Sequence, residues 1–324
     1  MAELTMVAAL NAALRDALAS DPRTLVMGED VGRLGGVFRV TDGLQREFGP
    51  ERVFDTPIAE AGIVGAAVGL CLAGWRPVVE MQFEGFSYPA LDQVISHVAK
   101  YRYRTKGRVG LPLVIRMPFG GGIRGKEHHG ESPETYYAHT AGLKVVVPSN
   151  ALDAYRLLRA AIADPDPVVF LEPKARYWAK EEGNLTTEGP GIGEAVVVRD
   201  GAACTIVSYG AMVHRCLEAA ARLEERGIGC RVLDLRSLVP LDLGALGEAV
   251  RRTGRLVVVH EAPRTLGMGA EIAARAMEEA FDHLEAPVAR VTGYDTPYPP
   301  ASLEDRWLPS VERIVAAVER TVSY

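Results

Sequence analysis

Residues 52–83 read RVFDTPIAEAGIVGAAVGLCLAGWRPVVEMQF. Arg52–Asp55 has the composition of a short buried strand. Pro57–Ala73 reads as a buried helix rich in Ala, Gly and Val, with Pro57 at the first helical position, where its missing N–H is harmless. Pro77–Phe83 is a second apolar strand. Strand, crossover helix and strand make a βαβ unit, whose strands lie parallel and covered on both faces. The same alternation extends outward. Upstream, Thr5 caps an amphipathic helix to Ala19, with Met6, Ala9, Leu10, Ala13, Leu14, Ala17 and Leu18 on one face. A strand at Thr24–Gly28, a glycine loop at Gly32–Gly36 and a short helix at Asp42–Phe48 follow it. Downstream come a long helix (Tyr88–Arg104), a strand (Leu111–Met117) and a second glycine loop (Phe119–Gly125). A strand (Leu143–Val147), a helix (Ala151–Ala163) and a strand (Pro167–Leu171) complete the first half.

Residues 172–194 carry charge, Gly and Pro without an apolar period, and read as a linker. Alternation then resumes. Strands are expected at Cys204–Ser208, Cys230–Leu235, Leu256–His260 and Pro287–Val291. Helices are expected at Met212–Arg226, Leu243–Arg252, Ala270–Phe281 and Pro309–Thr321. The expected fold class is α/β: two domains, 1–171 and 195–324, each a mostly parallel sheet flanked by helices.

Composition narrows the function. The 324 residues are 48% hydrophobic and 24% charged, which is ordinary globular usage, with a net charge of −6 that argues against a nucleic-acid partner. The basic run Lys100–Arg108 (KYRYRTKGR) reads as the solvated end of a helix. Ala61–Gly74, the longest apolar run, is too short for a membrane span of ~20 residues. No signal-peptide pattern opens the chain, and its four cysteines stand singly, so a reducing cytoplasm is expected. Gly120–Gly125 matches G-x-G-x-x-G in form, but Lys126, Glu127, His128 and His129 follow it instead of an apolar helix.

In parallel sheets, ligands gather at the carboxyl ends of the strands. Four sets of residues follow first-half strands: Glu29 with Asp30, Glu60, Gln82 with Phe83, and His128 with His129. A carboxylate beside AGIVGAAVGL loses hydration, which favours its protonated form and suits Glu60 to sharing a proton with a ring nitrogen. The plainer reading of Glu60 is a first-turn acid facing the helix dipole. A histidine in a glycine loop suits proton transfer near neutral pH, or is simply solvated. Phe83, Phe86 and Tyr88 form either an aromatic wall for a flat ligand or ordinary core.

These stretches resemble the beta chain of the thiamin-diphosphate-dependent decarboxylating component of 2-oxo acid dehydrogenase complexes. The resemblance runs nearly end to end. It includes GEDVGRLGGVFRVTDGL (28–44), RVFDTPIAEAGIVGAAVGL (52–70), RPVVEMQFEGFSYPALDQ (76–93), KYRYRT (100–105) and HHGESPETYYAHTAGLKVVVPS (128–149). It continues through DPDPVVFLEPK (164–174), VLDLRSLVPLD (232–242), TGRLVVVHEAP (253–263) and LEAPVARVTGYDTPYP (284–299). It implies a thiamin-diphosphate pyrimidine-binding domain followed by a transketolase C-terminal-like domain. By the resemblance, Glu60 corresponds to the glutamate that hydrogen-bonds the pyrimidine N1′ and sets the tautomer able to take a proton from the thiazolium C2. Ile58, Ala59, Gln82 and Phe83 would line the ring, with Phe83 stacked on it, and Glu29 would contact it. Phe86, Ser87, Tyr88 and Pro89 match the adjoining cofactor wall. Phe83, Glu84, Gly85, Phe86 and His129 match the substrate side, with His129 the proton donor or acceptor.

The sequence contains neither the Gly-Asp-Gly segment nor the Asn pair with which thiamin enzymes hold diphosphate and Mg²⁺. The resemblance therefore implies an alpha subunit that grips that end, in an alpha2beta2 heterotetramer. It also implies docking on a lipoyl acyltransferase core and a branched-chain 2-oxo acid such as 2-oxoisovalerate as substrate, with pyruvate or acetoin the alternative. A non-catalytic assembly module is the remaining alternative. A structural K⁺ would sit on backbone at Leu111, Leu113, Val114, Ala161, Asp164 and Asp166, although Pro165 and Asp166 depart from the family's pattern there. No residue of the second domain stands out as catalytic.

Overall fold

A computed structural model describes residues 2–324, which divide into two compact units. The first comprises the chain through Phe119 together with Tyr136–Ile192; the second comprises Gly120–Thr135 and Gly193–Tyr324. No helix of the described residues is long and apolar enough to cross a membrane.

The first unit holds β1 (Ala2–Thr5), β2 (Thr24–Gly28), β3 (Val53–Asp55), β4 (Arg76–Glu80), β5 (Val114–Phe119), β6 (Lys144–Val146), β7 (Val168–Pro173) and β8 (Lys180–Gly183). Six of them run parallel in the order β6-β7-β5-β4-β2-β3. Register puts Gly28 opposite both Asp55 and Glu80, so β2, β3 and β4 end together at one edge. Gly28 is needed there, since a Cβ at this position would lie 2.7 Å from the Glu80 carbonyl oxygen. The helix Met6–Ser20 is capped by Thr5, whose hydroxyl accepts from Ala8 N–H at 3.2 Å. It shares one core cluster with the helix Ala151–Ala163, which Asn150 caps.

The second unit holds β9 (Val196–Arg199), β10 (Cys204–Ser208), β11 (Cys230–Asp234), β12 (Ser237–Val239), β13 (Leu256–Val259) and β14 (Ala289–Val291). Its five-stranded sheet has the order β14-β13-β10-β11-β9, parallel except for β9 at the edge. Its core gathers Ile206, Val232, Val257 and Val259 of the sheet with Cys216, Leu223, Ile314 and Val318 of two helices.

Several local expectations differ from the structure. The helix expected from Pro57 begins at Glu60, and Ile58 is 84% exposed. Its sequence is apolar all round, yet only Ile63, Val64, Ala67 and Cys71 are buried, while Leu72 is 48% exposed. The continuous helix expected over Tyr88–Arg104 is a series of short turns. A 3₁₀ segment (Glu84–Ala90) containing Pro89 leads into a helical turn (Leu91–Gln93), a π segment (Val94–Val98) and a last turn (Tyr101–Arg104). Within 172–194, β8 pairs antiparallel with β1, Tyr177 and Lys174 are buried, and Glu181 accepts from Ala151 N–H at 2.7 Å. The charges that read as linker are partners of the first unit's core and edge.

Candidate active site

The edge where β2, β3 and β4 end carries three of the four residue sets singled out above. Glu29 and Asp30 leave β2, Thr56–Glu60 leave β3, and Gln82 and Phe83 follow β4. Thr56 N–H donates to Gly28 O at 2.9 Å and ties two of these exits together. Asp30 stands at φ 59°, a conformation Asp tolerates, and its Oδ2 accepts from Gln82 Nε2 at 2.8 Å.

Enclosure falls on a different acid from the one expected. Glu60 is half-buried in the first turn of its helix, whereas Glu29 is buried. Burial pushes the Glu29 carboxyl above the ordinary carboxylate range, and the charges of Glu60 and Asp30 add to the shift. Among the described residues, Glu29 Oε1 has no hydrogen-bond partner. A buried acceptor left unpaired is costly, so this oxygen marks a place where a ligand donor or hydroxyl fits.

Phe83 is half-buried, with Phe38 and Phe86 edge-on at 5.4 and 5.8 Å. Lys174 Nζ lies 5.6 Å from its centroid. Glu84 is fully buried and its carboxylate pairs with that ammonium at 2.6 Å. Ser87 is also buried; its hydroxyl lies 2.5 Å from Glu84 O and 2.6 Å from the Tyr137 hydroxyl. Tyr88 stands edge-on to Tyr136 at 5.9 Å, Gly85 is half-buried, and Ala59 and Pro89 are exposed. Within one unit the chain therefore brings together Glu29, Glu60, Gln82, Phe83 and Phe86 at the sheet edge, over a layer in which Glu84 and Ser87 are already engaged.

Below that layer lies a charged cluster that the reading of strands and loops missed. Arg116 of β5 binds Glu172 of β7 through two parallel bonds of 2.7 and 2.8 Å, and also pairs with Glu80 of β4. Tyr177 OH donates to Glu172 at 2.5 Å. Burial works against the Arg116 charge, but Glu172 and Glu80 outweigh it and hold the guanidinium above its usual value. The available signal was a charge inside each of three apolar strands: VVE, VIRM and VFLE.

His129 is carried by the second unit, in a short 3₁₀ turn over Glu127–His129. It is half-buried, its N–H donates to Lys126 O at 2.8 Å, and its Nδ1 is 3.0 Å from His128 O. His128 is exposed. Among the described residues, no group of three or more His, Cys, Asp or Glu is arranged to hold a metal ion.

At the backbone positions read as a K⁺ site, acceptors already have partners. The carbonyls of Leu111, Leu113 and Ala161 accept from backbone N–H groups, and those of Ile162 and Asp164 from Arg76. The carboxylates of Asp164 and Asp166 pair with Lys144 and Arg102. Three side-chain cations thus crowd the place, and the residues fit K⁺ poorly.

Comparison with known proteins identifies both halves of the chain. The transketolase pyrimidine-binding domain matches residues 2–179, and the transketolase C-terminal domain matches residues 193–314. A 3-methyl-2-oxobutanoate dehydrogenase subunit beta of Mycobacterium tuberculosis is 56% identical, covering 98% of this chain and 92% of that protein. A pyruvate dehydrogenase E1 component subunit beta of Leifsonia xyli is 53% identical over 99% and 95%. A 2-oxoisovalerate dehydrogenase subunit beta of Pseudomonas aeruginosa is 46% identical over 98% and 95%. Among solved structures, a split-gene transketolase described as an inactive beta4 tetramer superposes with a TM-score of 0.82 at 26% identity, covering 99% of this chain and 98% of that one. With both domain types matched in order and identity this high along the whole length, the chain belongs to the family of 2-oxo acid dehydrogenase beta subunits, built from a transketolase-type pyrimidine-binding domain and a transketolase C-terminal domain.

Proposed function

We propose that this chain is the beta subunit of a decarboxylating component that acts on branched-chain 2-oxo acids, with thiamin diphosphate shared with an alpha subunit and a lipoyl group as acyl acceptor. The observation that carries this reading is the acid pair at the first unit's sheet edge, in which buried Glu29 keeps an oxygen without a partner among the described residues and feels the charge of Glu60. Bound thiamin diphosphate supplies the electron sink that decarboxylation requires. Glu60 holds a proton at the pyrimidine N1′ and so selects the tautomer. Glu29, its carboxyl raised by burial and by the Glu60 charge, would be the second acid near the ring. Phe83 would stack on the ring with Gln82, Ile58 and Ala59 around it; Phe86, Tyr88 and Pro89 would extend the wall, with Gly85 on the substrate side. His129 moves the substrate-side proton.

A partner is supported by the helix Glu60–Leu72. Its flank beyond Ile63, Val64, Ala67 and Cys71 is apolar yet uncovered in this chain, as Leu72 and the preceding Ile58 show. An alpha subunit seated there would supply the diphosphate grip and Mg²⁺ for the end of the cofactor away from Glu60. The beta-only transketolase relative is described as inactive, which accords with a shared site. The second unit contributes to the beta–beta contact and to docking on the acyltransferase core. Four buried free thiols suit a reducing cytoplasm. K⁺ has no part in this reading.

The substrate reading favours 2-oxoisovalerate. Pyruvate is the second reading, because the Leifsonia relative is a pyruvate enzyme at 53% identity against 56% for the Mycobacterium branched-chain one. The test is CO₂ release by this chain mixed with an alpha subunit, thiamin diphosphate and Mg²⁺. The chain alone is expected to be inactive, and 2-oxoisovalerate to exceed pyruvate in kcat/KM in the mixture. Glu60→Gln is expected to lower the rate by ~10²–10⁴-fold. Near-full turnover by that variant overturns the assignment.

A further inference from the structure

The segment carrying His129 is gripped from the second unit. Gly120 N–H donates to Glu131 O at 2.8 Å and closes the segment at its base. Gly121 N–H donates to Glu261 Oε2 at 2.7 Å, and Arg124 N–H reaches the two oxygens of Glu304 at 3.1 and 3.2 Å. Glu304 is buried and also accepts from the Tyr298 hydroxyl at 2.6 Å. Tyr298, backed edge-on by Trp307 at 4.9 Å, sits between the two legs of the loop. A Cβ on Gly121 would lie 2.2 Å from its hydroxyl oxygen, and one on Gly130 would lie 2.2 Å from its Cε1. Gly130 directly follows His129, so the ring sets the backbone from which the imidazole projects. At the far end of the segment, Tyr209 OH donates to buried Glu134 at 2.5 Å.

We propose that Tyr298 and Glu304 are positioning residues for His129, the tyrosine ring wedging Gly121 and Gly130 apart while the Glu304 carboxylate ties that ring to the Arg124 amide. This rests on the reading of His129 as a proton-transfer group. Ring and loop then move as one body, because one carboxylate binds both. Misplacing a reacting group by about 1 Å costs ~10²-fold in rate, so a wedge against the neighbouring residue is a strong lever on catalysis.

The experiment uses the reconstituted alpha–beta complex with thiamin diphosphate and Mg²⁺. Tyr298→Phe keeps the wedge and removes the hydroxyl, Glu304→Gln keeps one acceptor, and Gly130→Ala drives a methyl into the ring. The first two are expected to lower kcat roughly tenfold and Gly130→Ala roughly 100-fold, with KM unchanged. Hydrogen exchange of the 121–130 amides should quicken in all three while Cys204–Ser208 stays protected. Asp305→Ala, which removes the exposed Arg124 side-chain pair, should change neither readout. His129→Ala runs in parallel. If it retains full kcat, the role of His129 falls and this proposal with it. If His129→Ala loses turnover while the three folded variants keep wild-type kcat and exchange, the positioning role alone is overturned. Should Gly130→Ala lose protection at Cys204–Ser208, Tyr298→Phe, which lacks a single oxygen, decides the matter.

Discussion

Two buried clusters, one in each unit, handle charge in opposite ways. In the first, Arg116 is matched by Glu172 and Glu80, and Lys174 by Glu84, so five interior groups are mutually paired. In the second, Glu134 meets the neutral Tyr209 hydroxyl and the like charge of Glu261, and burial pushes its carboxyl up to about 7. His260 is buried against Arg290 and is driven down to about 4, chiefly by burial. An opposite charge offsets burial, although Glu80, which shares Arg116 with Glu172, is still pushed upward by burial; without an opposite partner, burial favours the neutral form unopposed. Around Arg116 and Lys174 the buried acids face cations, whereas Glu29 in the same unit and Glu134 and His260 in the other face no opposite charge, and burial shifts each toward its neutral form.

The largest effect expected from this contrast is at Arg116. Arg116→Ala strands two buried carboxylates and should cost ~3–5 kcal/mol in urea unfolding. A loss below ~1 kcal/mol would mean that the cluster is not held by its charges. Glu134→Gln comes next and tests the other half of the contrast. The carboxyl titrates near 4.5 unfolded and near 7 folded, so the folded chain retains a proton that the unfolded chain releases. Stability therefore falls as pH rises from 4.5 to 7 and stays low above that. The variant should gain on the order of 2–3 kcal/mol over the parent at pH 8 and nothing near pH 4.5, read from paired melting curves. A gain independent of pH would break the comparison. His260 acts with the opposite sign: its neutral burial costs stability as pH falls from 6.5 toward 4. The smallest effect is Asn150→Ala, which removes the cap on Ala151–Ala163 and should cost ~1 kcal/mol at every pH, since the cap is uncharged.

The alternation of strands and helices was legible because parallel strands are buried on both faces and read as unbroken apolar runs. The strands Thr24–Gly28 and Cys204–Ser208 and the helix Ala151–Ala163 fall where their runs lie. β8 was not legible: KEEG has no apolar signal, and it is a strand because β1 pairs with it from the other end of the unit. The turn-by-turn path over 84–104 was hidden too, because the residues keep helical composition and Pro89 alone hints at the break. At the site, Glu29, Glu60 and Phe83 could be picked out because they directly follow strands. Their supports could not. Arg116, Glu172 and Lys174 act through neighbours that only the sheet order brings together, and Glu304 meets Arg124 across 180 residues. Sequence periodicity is local, and these contacts are not.

The uncovered flank of the helix Glu60–Leu72 bears on how the protein must be made. A copy without a partner on this flank keeps Ile58 and Leu72 in water, and its easiest relief is to stick to another such copy. On the proposed pairing with an alpha subunit, matched output of the two polypeptides follows from this one apolar flank, and a surplus of this chain would feed the proteolytic machinery rather than the enzyme pool.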